Sequence, residues 1–101
     1  MDLTGFKESL AGASPPAGCS ELLAALWWDA KNDWEQAHRI AQDISGPQGA
    51  RIHAYLHRKE GDRSNAAYWY SRAGQSPYHG GLEAEWEDLV QTYLAAGPAP
   101  N

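Results

Sequence analysis

The sequence predicts an all-α fold: two antiparallel helical hairpins closed by a C-terminal amphipathic helix. Three observations carry that expectation. NDWEQAHRIAQDI, from Asn32 to Ile44, and GDRSNAAYWYSRA, from Gly61 to Ala73, are imperfect copies of one unit at a fixed offset of 29 residues. Asp33 meets Asp62, Ala37 meets Ala66, Ala41 meets Tyr70 and Ile44 meets Ala73, and a repeat of that length points to stacked helical pairs. Near the C-terminus Leu82, Trp86, Leu89, Val90, Tyr93 and Leu94 recur at helical spacing, whereas no stretch alternates with the period of a strand.

The elements follow in order. Leu3, Phe6 and Leu10 mark a short first helix with Thr4 as its cap, and GASPPAG then forms a linker because Pro15 and Pro16 disfavour a continuing helix. Ser20 caps a helix to Ala30, whose Leu22, Leu23, Leu26, Trp27 and Trp28 make a face wide enough to need neighbours on two sides. Asn32 and Glu35 fit a capping box for a helix ending at Ile44, with Gly46 and Pro47 as its stop. The next helix spans Gly49 to Glu60, and Asp62 or Ser64 caps another that ends at Ala73. GQSPYHGG carries turn chemistry. The last helix starts near Leu82 and presents Glu83, Glu85, Glu87 and Asp88 on its polar face. The organisation is therefore residues 1–19 as short helix and Pro-rich linker, 20–95 as the repeat-like domain and 96–101 as a frayed tail.

Composition narrows the function classes. A chain of 101 residues is one domain, and five tryptophans, five tyrosines and one phenylalanine favour a packed core over disorder. The net charge of −5 argues against a nucleic-acid partner. Cys19 is the single cysteine, so no intrachain disulfide forms. Neither a signal peptide nor a membrane span is legible, and a cytoplasmic protein is expected.

The second copy, with Gly61, Ala66, Tyr70, Ala73 and Pro77, resembles the second helix of a tetratricopeptide repeat. In that pattern small residues let neighbouring helices approach, and an aromatic fills the gap between them. Asn32, Ala37 and Ala41 stand at the same places in the first copy, and Ala25 and Ala54 where the family crosses its helices. The likeness covers Glu21 to Pro77. Its 29-residue offset is shorter than the usual repeat of about 34, and two copies fall below the three a solenoid normally needs, so the last helix has to act as a cap. HAYLHRKEGD…NAAYWYSRAG also resembles a group of short bacterial proteins, which implies no activity.

The resemblance implies non-enzymatic binding of a protein or peptide, with no cofactor. The groove would be built from the first helix of each pair, using Leu22, Leu26, Arg51, Tyr55 and Arg58. Guanidinium groups there suit an acidic side chain or a C-terminal carboxylate. The competing explanation for the basic cluster Arg51, Arg58, Lys59, Arg63 and Arg72 is internal pairing with Glu60, Asp62 or the acidic last helix.

A different class of function rests on His53 and His57, four residues apart on one helical face, with Glu60 a turn further on. That spacing suits a small metal-binding protein or metal-dependent enzyme. Hydrogen-bonded core histidines are the plainer explanation of that spacing, and His38 and His79 are left over. A third reading is a homodimer that buries its own aromatic groove as a structural subunit. Trp27–Trp28 and Trp69–Tyr70 are adjacent pairs, and neighbours on a helix differ by about 100°, so one or two of these rings should approach the surface. Cys19, just before a helix start, suits a stabilised thiolate, but no nucleophile motif accompanies it.

Overall fold

The structure is a computed structural model that describes residues 1–96. It contains six helices: α1 Leu3–Ser9, α2 Glu21–Ala30, α3 Trp34–Gln42, α4 Pro47–Lys59, α5 Arg63–Arg72 and α6 Leu82–Ala95. No strand occurs among the described residues, so the fold is all-α as the periodicities predict. From residue 97 onward the expected tail lies outside the described residues. The most extensive helix contacts are α2 with α3 and α4 with α5, and α3 packs on α4 between them.

The turns after α2 and α4 share one geometry. Asn32 has φ +65° and Gly61 φ +89°, left-handed conformations that end α2 and α4. One residue on, the Asp33 N–H donates to Trp28 O and the Asp62 N–H to His57 O, both at 2.9 Å. Such a residue-to-fifth-preceding bond closes a helix through a left-handed residue. Asp33 and Asp62 then cap the following helices by accepting from the N–H of Gln36 and Asn65. Asn32 is thus the turn residue, and Asp33 the cap, where a capping box on Asn32 was expected. Asp2 likewise replaces Thr4 as the α1 cap, accepting from Gly5 N–H at 2.8 Å. Ser20 caps α2 through Leu23 N–H as expected.

Pro47 has the role opposite to the one its position suggested. It is the first residue of α4, where a missing N–H costs nothing because that group has no helical partner and the fixed φ is already helical. The preceding helix ends by itself at Gln42, two residues earlier than Ile44. Gly49 is required here, since a Cβ at that position would lie 2.0 Å from Ile44 O.

The small residues of the two copies make the helix crossings. Ala25, Ala37, Ala41 and Ala54 are completely buried and Ala66 nearly so. Around them pack Phe6, Leu26, Trp27, Ile52, Leu56 and Val90, all sealed from solvent. Each such large side chain contributes about 1.5–3 kcal/mol relative to exposure. The adjacent aromatics divide as helical geometry requires: Trp27 and Tyr70 are buried, Trp28 and Trp69 half-buried, and Tyr68 exposed.

The sixth helix lies on α2 and α4, and α1 packs on α6. Trp86, Leu89, Val90 and Tyr93 of its apolar stripe are buried, and Trp86 Nε1 donates to Leu26 O at 2.9 Å. Leu82, at the start of the stripe, stays exposed. Glu85 overturns the expected polar face, because it is completely buried. It sits one turn before Leu89, on the same flank, where cations from α4 meet it.

Candidate metal centre

Two buried carboxylates organise the face of α4 that meets α2 and α6. Glu85 Oε1 lies 2.6 Å from Arg58 Nη1, and Tyr70 donates its hydroxyl to Oε2 at 2.5 Å. Arg51 Nη1 lies 2.7 Å from Oε2, close enough for an ion pair, although its hydrogens are not aligned for a hydrogen bond. The Nε of Arg51 donates to Gln75 Oε1, and Arg58 also donates to Gly80 O. Asp29 accepts from Tyr55 Oη at 2.7 Å and Lys59 Nζ at 2.9 Å. Burial, then the hydrogen bond to Glu85, pushes the Tyr70 phenol up to about 12. Burial beside Asp29 raises Tyr55 further still.

This geometry relocates the residues expected in a partner groove. Leu26, Arg51 and Tyr55 are buried, Leu22 is half-buried, and Arg58 is turned onto Glu85. The face that would be concave in a longer array is filled by α6, whose carboxylate takes both guanidinium groups. Internal pairing with the last helix, the competing explanation of the basic cluster, describes Arg51 and Arg58. Lys59 pairs instead with Asp29 of α2.

On the opposite side of α4, three imidazoles converge. His53 and His57 project from one face of that helix, and α3 brings His38 to them. Ala37 and Ala41, on the same helix as His38, are completely buried. Ring centroids are 4.7 Å apart for His38–His53, 5.3 Å for His38–His57 and 5.6 Å for His53–His57. One nitrogen from each ring can be chosen so that all three lie within 4.8 Å of one another.

The rings are held by their surroundings. Trp34 stacks on His38 at 4.8 Å with 11° between the planes, and its Nε1 donates to Leu56 O at 2.9 Å. Trp69 packs on His53 at 4.2 Å. His57 Nδ1 lies 3.1 Å from Glu60 Oε1. Glu60, expected as a third ligand, thus engages His57, and with Asp62 it forms a second, more exposed group of possible donor atoms around that ring.

His53 has no hydrogen-bond partner among the described residues. It is 5% exposed, and neither Nδ1 nor Nε2 has a hydrogen bond. A buried imidazole without partners loses the stabilisation that normally offsets desolvation, so the reading of a satisfied core histidine does not describe it. Burial, followed by the proximity of His38 and His57, lowers its pKa to about 4. Burial and His57 lower His38 as well, against a smaller upward pull from Glu60. Both are neutral at physiological pH, the form that presents lone pairs to a metal.

His38 was left over in the sequence because nothing in its spacing pairs it with His53. The usable signal was its place next to Ala37, a crossing residue, one turn after Trp34. His79 is exposed and stands apart from the cluster. Cys19 is half-buried, and burial raises its thiol rather than favouring a thiolate.

Comparison with known proteins returns no matching family model, curated protein or solved structure. The tetratricopeptide likeness therefore rests on residues alone. No helix among the described residues is long and apolar enough to cross a membrane.

Proposed function

We propose that this domain is a metal-binding protein whose centre is formed by His38, His53 and His57, with Glu60 orienting His57. The carrying observation is His53, a buried imidazole with both nitrogens unpartnered beside two further imidazoles. A metal supplies the missing partner. Three neutral nitrogen donors without a carboxylate or thiolate suit zinc, cobalt, nickel or copper, and disfavour magnesium and calcium. Tetrahedral zinc with Zn–N near 2.0–2.1 Å wants its nitrogens roughly 3.4 Å apart, so the rings would draw together by about an ångström on binding. Three protein ligands also leave a fourth position for water or another donor.

The helical scaffold serves this reading by fixing ring positions. Two imidazoles share one helix, the third stands beside a buried alanine of α3, and two indoles brace them. A groove for a peptide has less support, since the residues expected to line it hold the core together.

The test uses tag-free protein and elemental analysis after dialysis against zinc. One equivalent is expected, and it should be lost in His38→Ala and in His57→Ala but retained in His79→Ala. Cobalt substitution should give the visible absorption of a tetrahedral nitrogen site. Wild-type protein that retains no zinc, cobalt, nickel or copper overturns the proposal, as does undiminished binding in His38→Ala.

A further inference from the structure

We propose that His57, Glu60 and Asp62 form a second, solvent-facing cation seat, through which a divalent metal ion reaches the three-imidazole centre. The seat stands on its own donor atoms, whereas the route through it rests on the metal-centre reading.

One donor atom from each of these three side chains can be chosen so that all lie within 4.8 Å of one another. His57 belongs to both donor sets, so the two seats adjoin. They differ in access and in charge. His53 and His57 are buried, His38 is half-buried, and three neutral imidazoles bring no negative charge. A hydrated dication gains little from such a site until it has shed water. Glu60 and Asp62 are exposed, and carboxylate oxygens take a cation that still carries part of its water.

These carboxylates are available. Arg58 and Lys59 directly precede Glu60, yet Arg58 is held by Glu85 and Lys59 by Asp29. Neither Glu60 nor Asp62 pairs with a lysine or arginine among the described residues. Asp62 uses Oδ1 for the Asn65 N–H at 3.1 Å, and a carboxylate with one hydrogen bond keeps lone pairs for a metal. Its own N–H donates to His57 O at 2.9 Å, which ties the aspartate to the residue that carries the ring. The seat also lies at the C-terminal end of α4, where the helix dipole favours a cation.

The matching turn after α2 shows that the fold does not demand this set. There the Asp33 N–H meets Trp28 O at 2.9 Å and Asp33 caps α3. At the 29-residue offset Trp28 stands for His57 and Lys31 for Glu60. Lys31 instead donates to Leu10 O and Gly12 O. Capping alone therefore explains Asp62. The imidazole and the glutamate, 3.1 Å apart, answer to no requirement of the turn. Ala24 stands at the place of His53, so inner and outer donors depart from the first copy together.

The experiment has an equilibrium arm and a kinetic arm, both on the full chain. Manganese(II), which favours oxygen donors, is titrated against the amide NMR spectrum. Paramagnetic broadening should centre on Gly61, Asp62 and Arg63 in wild type and in His53→Gln, and vanish in the double variant Glu60→Gln/Asp62→Asn. Asparagine caps a helix as well as aspartate does, so the far-ultraviolet spectrum should not change. Loading is followed by stopped flow, as growth of the cobalt(II) absorption of the inner centre in excess metal. The double variant should load about tenfold more slowly and reach the same final absorbance. Glu8→Gln/Glu21→Gln removes as much charge at exposed positions on α1 and α2 and should load at nearly the wild-type rate. The proposal is overturned if manganese leaves residues 61–63 unbroadened, or if the control pair slows loading equally. A double variant that loads cobalt at the wild-type rate strikes the route and leaves the three-imidazole centre. Manganese broadening in a protein that retains no cobalt strikes that centre and leaves the outer seat.

Discussion

Glu85 and Arg58 join α6 to α4 through an ion pair of 2.6 Å whose carboxylate end is sealed from solvent. The same carboxylate takes Arg51 at 2.7 Å and the Tyr70 hydroxyl at 2.5 Å. Three side chains from two helices thus depend on one buried charge of a third. The capping helix is held by that charge as well as by its apolar stripe.

Removing the carboxylate should therefore be expensive. Glu85→Ala leaves Arg51, 8% exposed, without its counter-charge, and breaking a buried pair from one side costs about 3–5 kcal/mol. Glu83→Ala, on the exposed side of the same turn, should stay within about 0.5 kcal/mol of wild type. Urea unfolding of the two variants decides the matter. Equal stabilities would show that the tetrad does not hold α6.

The turns that open the two matched segments give a smaller, directional prediction. Asn32 holds φ +65° at the place where Gly61 holds φ +89°. Asn32→Gly should be close to neutral, because a left-handed residue with a Cβ is replaced by one without. Asn32→Val should lose about 1–2 kcal/mol, since a β-branched residue pays the full steric penalty of that conformation. Thermal unfolding of both variants is the check, and a Val variant as stable as wild type would mean the turn relaxes to another shape.

The difference between what could and could not be read from the sequence lies in which interactions repeat locally. Ala37, Ala66, Asp33, Asp62 and the alternation of helix and turn are set by short-range spacing, and they stand where the periodicity puts them. Glu85 was assigned to the polar face because a helical wheel records only a residue's own element. Its burial depends on Arg51 and Arg58, 34 and 27 residues earlier in the chain. His38 was unassigned for the same reason, since its partners belong to the next helix. Pro47 was misread because a proline marks both the end of one helix and the first turn of the next.

The histidine cluster predicts a pH dependence of the metal-free protein. Burial lowers the His53 pKa to about 4, so the unfolded chain, with a histidine near 6.5, binds more protons between those values. Stability therefore rises with pH across that window. It is fully present above about pH 6.5 and is lost as pH falls towards 4. Urea midpoints measured in chelator from pH 4 to 7 should climb accordingly. In His53→Gln that dependence should flatten, leaving the weaker contribution of His38. A wild-type profile already flat between pH 4.5 and 6.5 would show that His53 is not sealed from water.

Metal binding should couple to folding at the same three residues. The unfolded chain does not hold His38 beside His53 and His57, so zinc favours the folded state by mass action. At about one hundred times the dissociation constant this amounts to about 2.7 kcal/mol, which for a domain of this size raises the unfolding temperature by about 10–20 °C. Glu60→Gln should keep part of that rise, because an amide oxygen still accepts from His57 Nδ1 but without a charge. Glu60→Ala should keep less, and His57→Ala none. The ranking separates orientation of a ligand from ligation itself. If Glu60→Ala retained the whole rise while His57→Ala lost it, the 3.1 Å contact between His57 and Glu60 would have no part in holding the metal. If His57→Ala retained it, the metal would lie elsewhere on the protein.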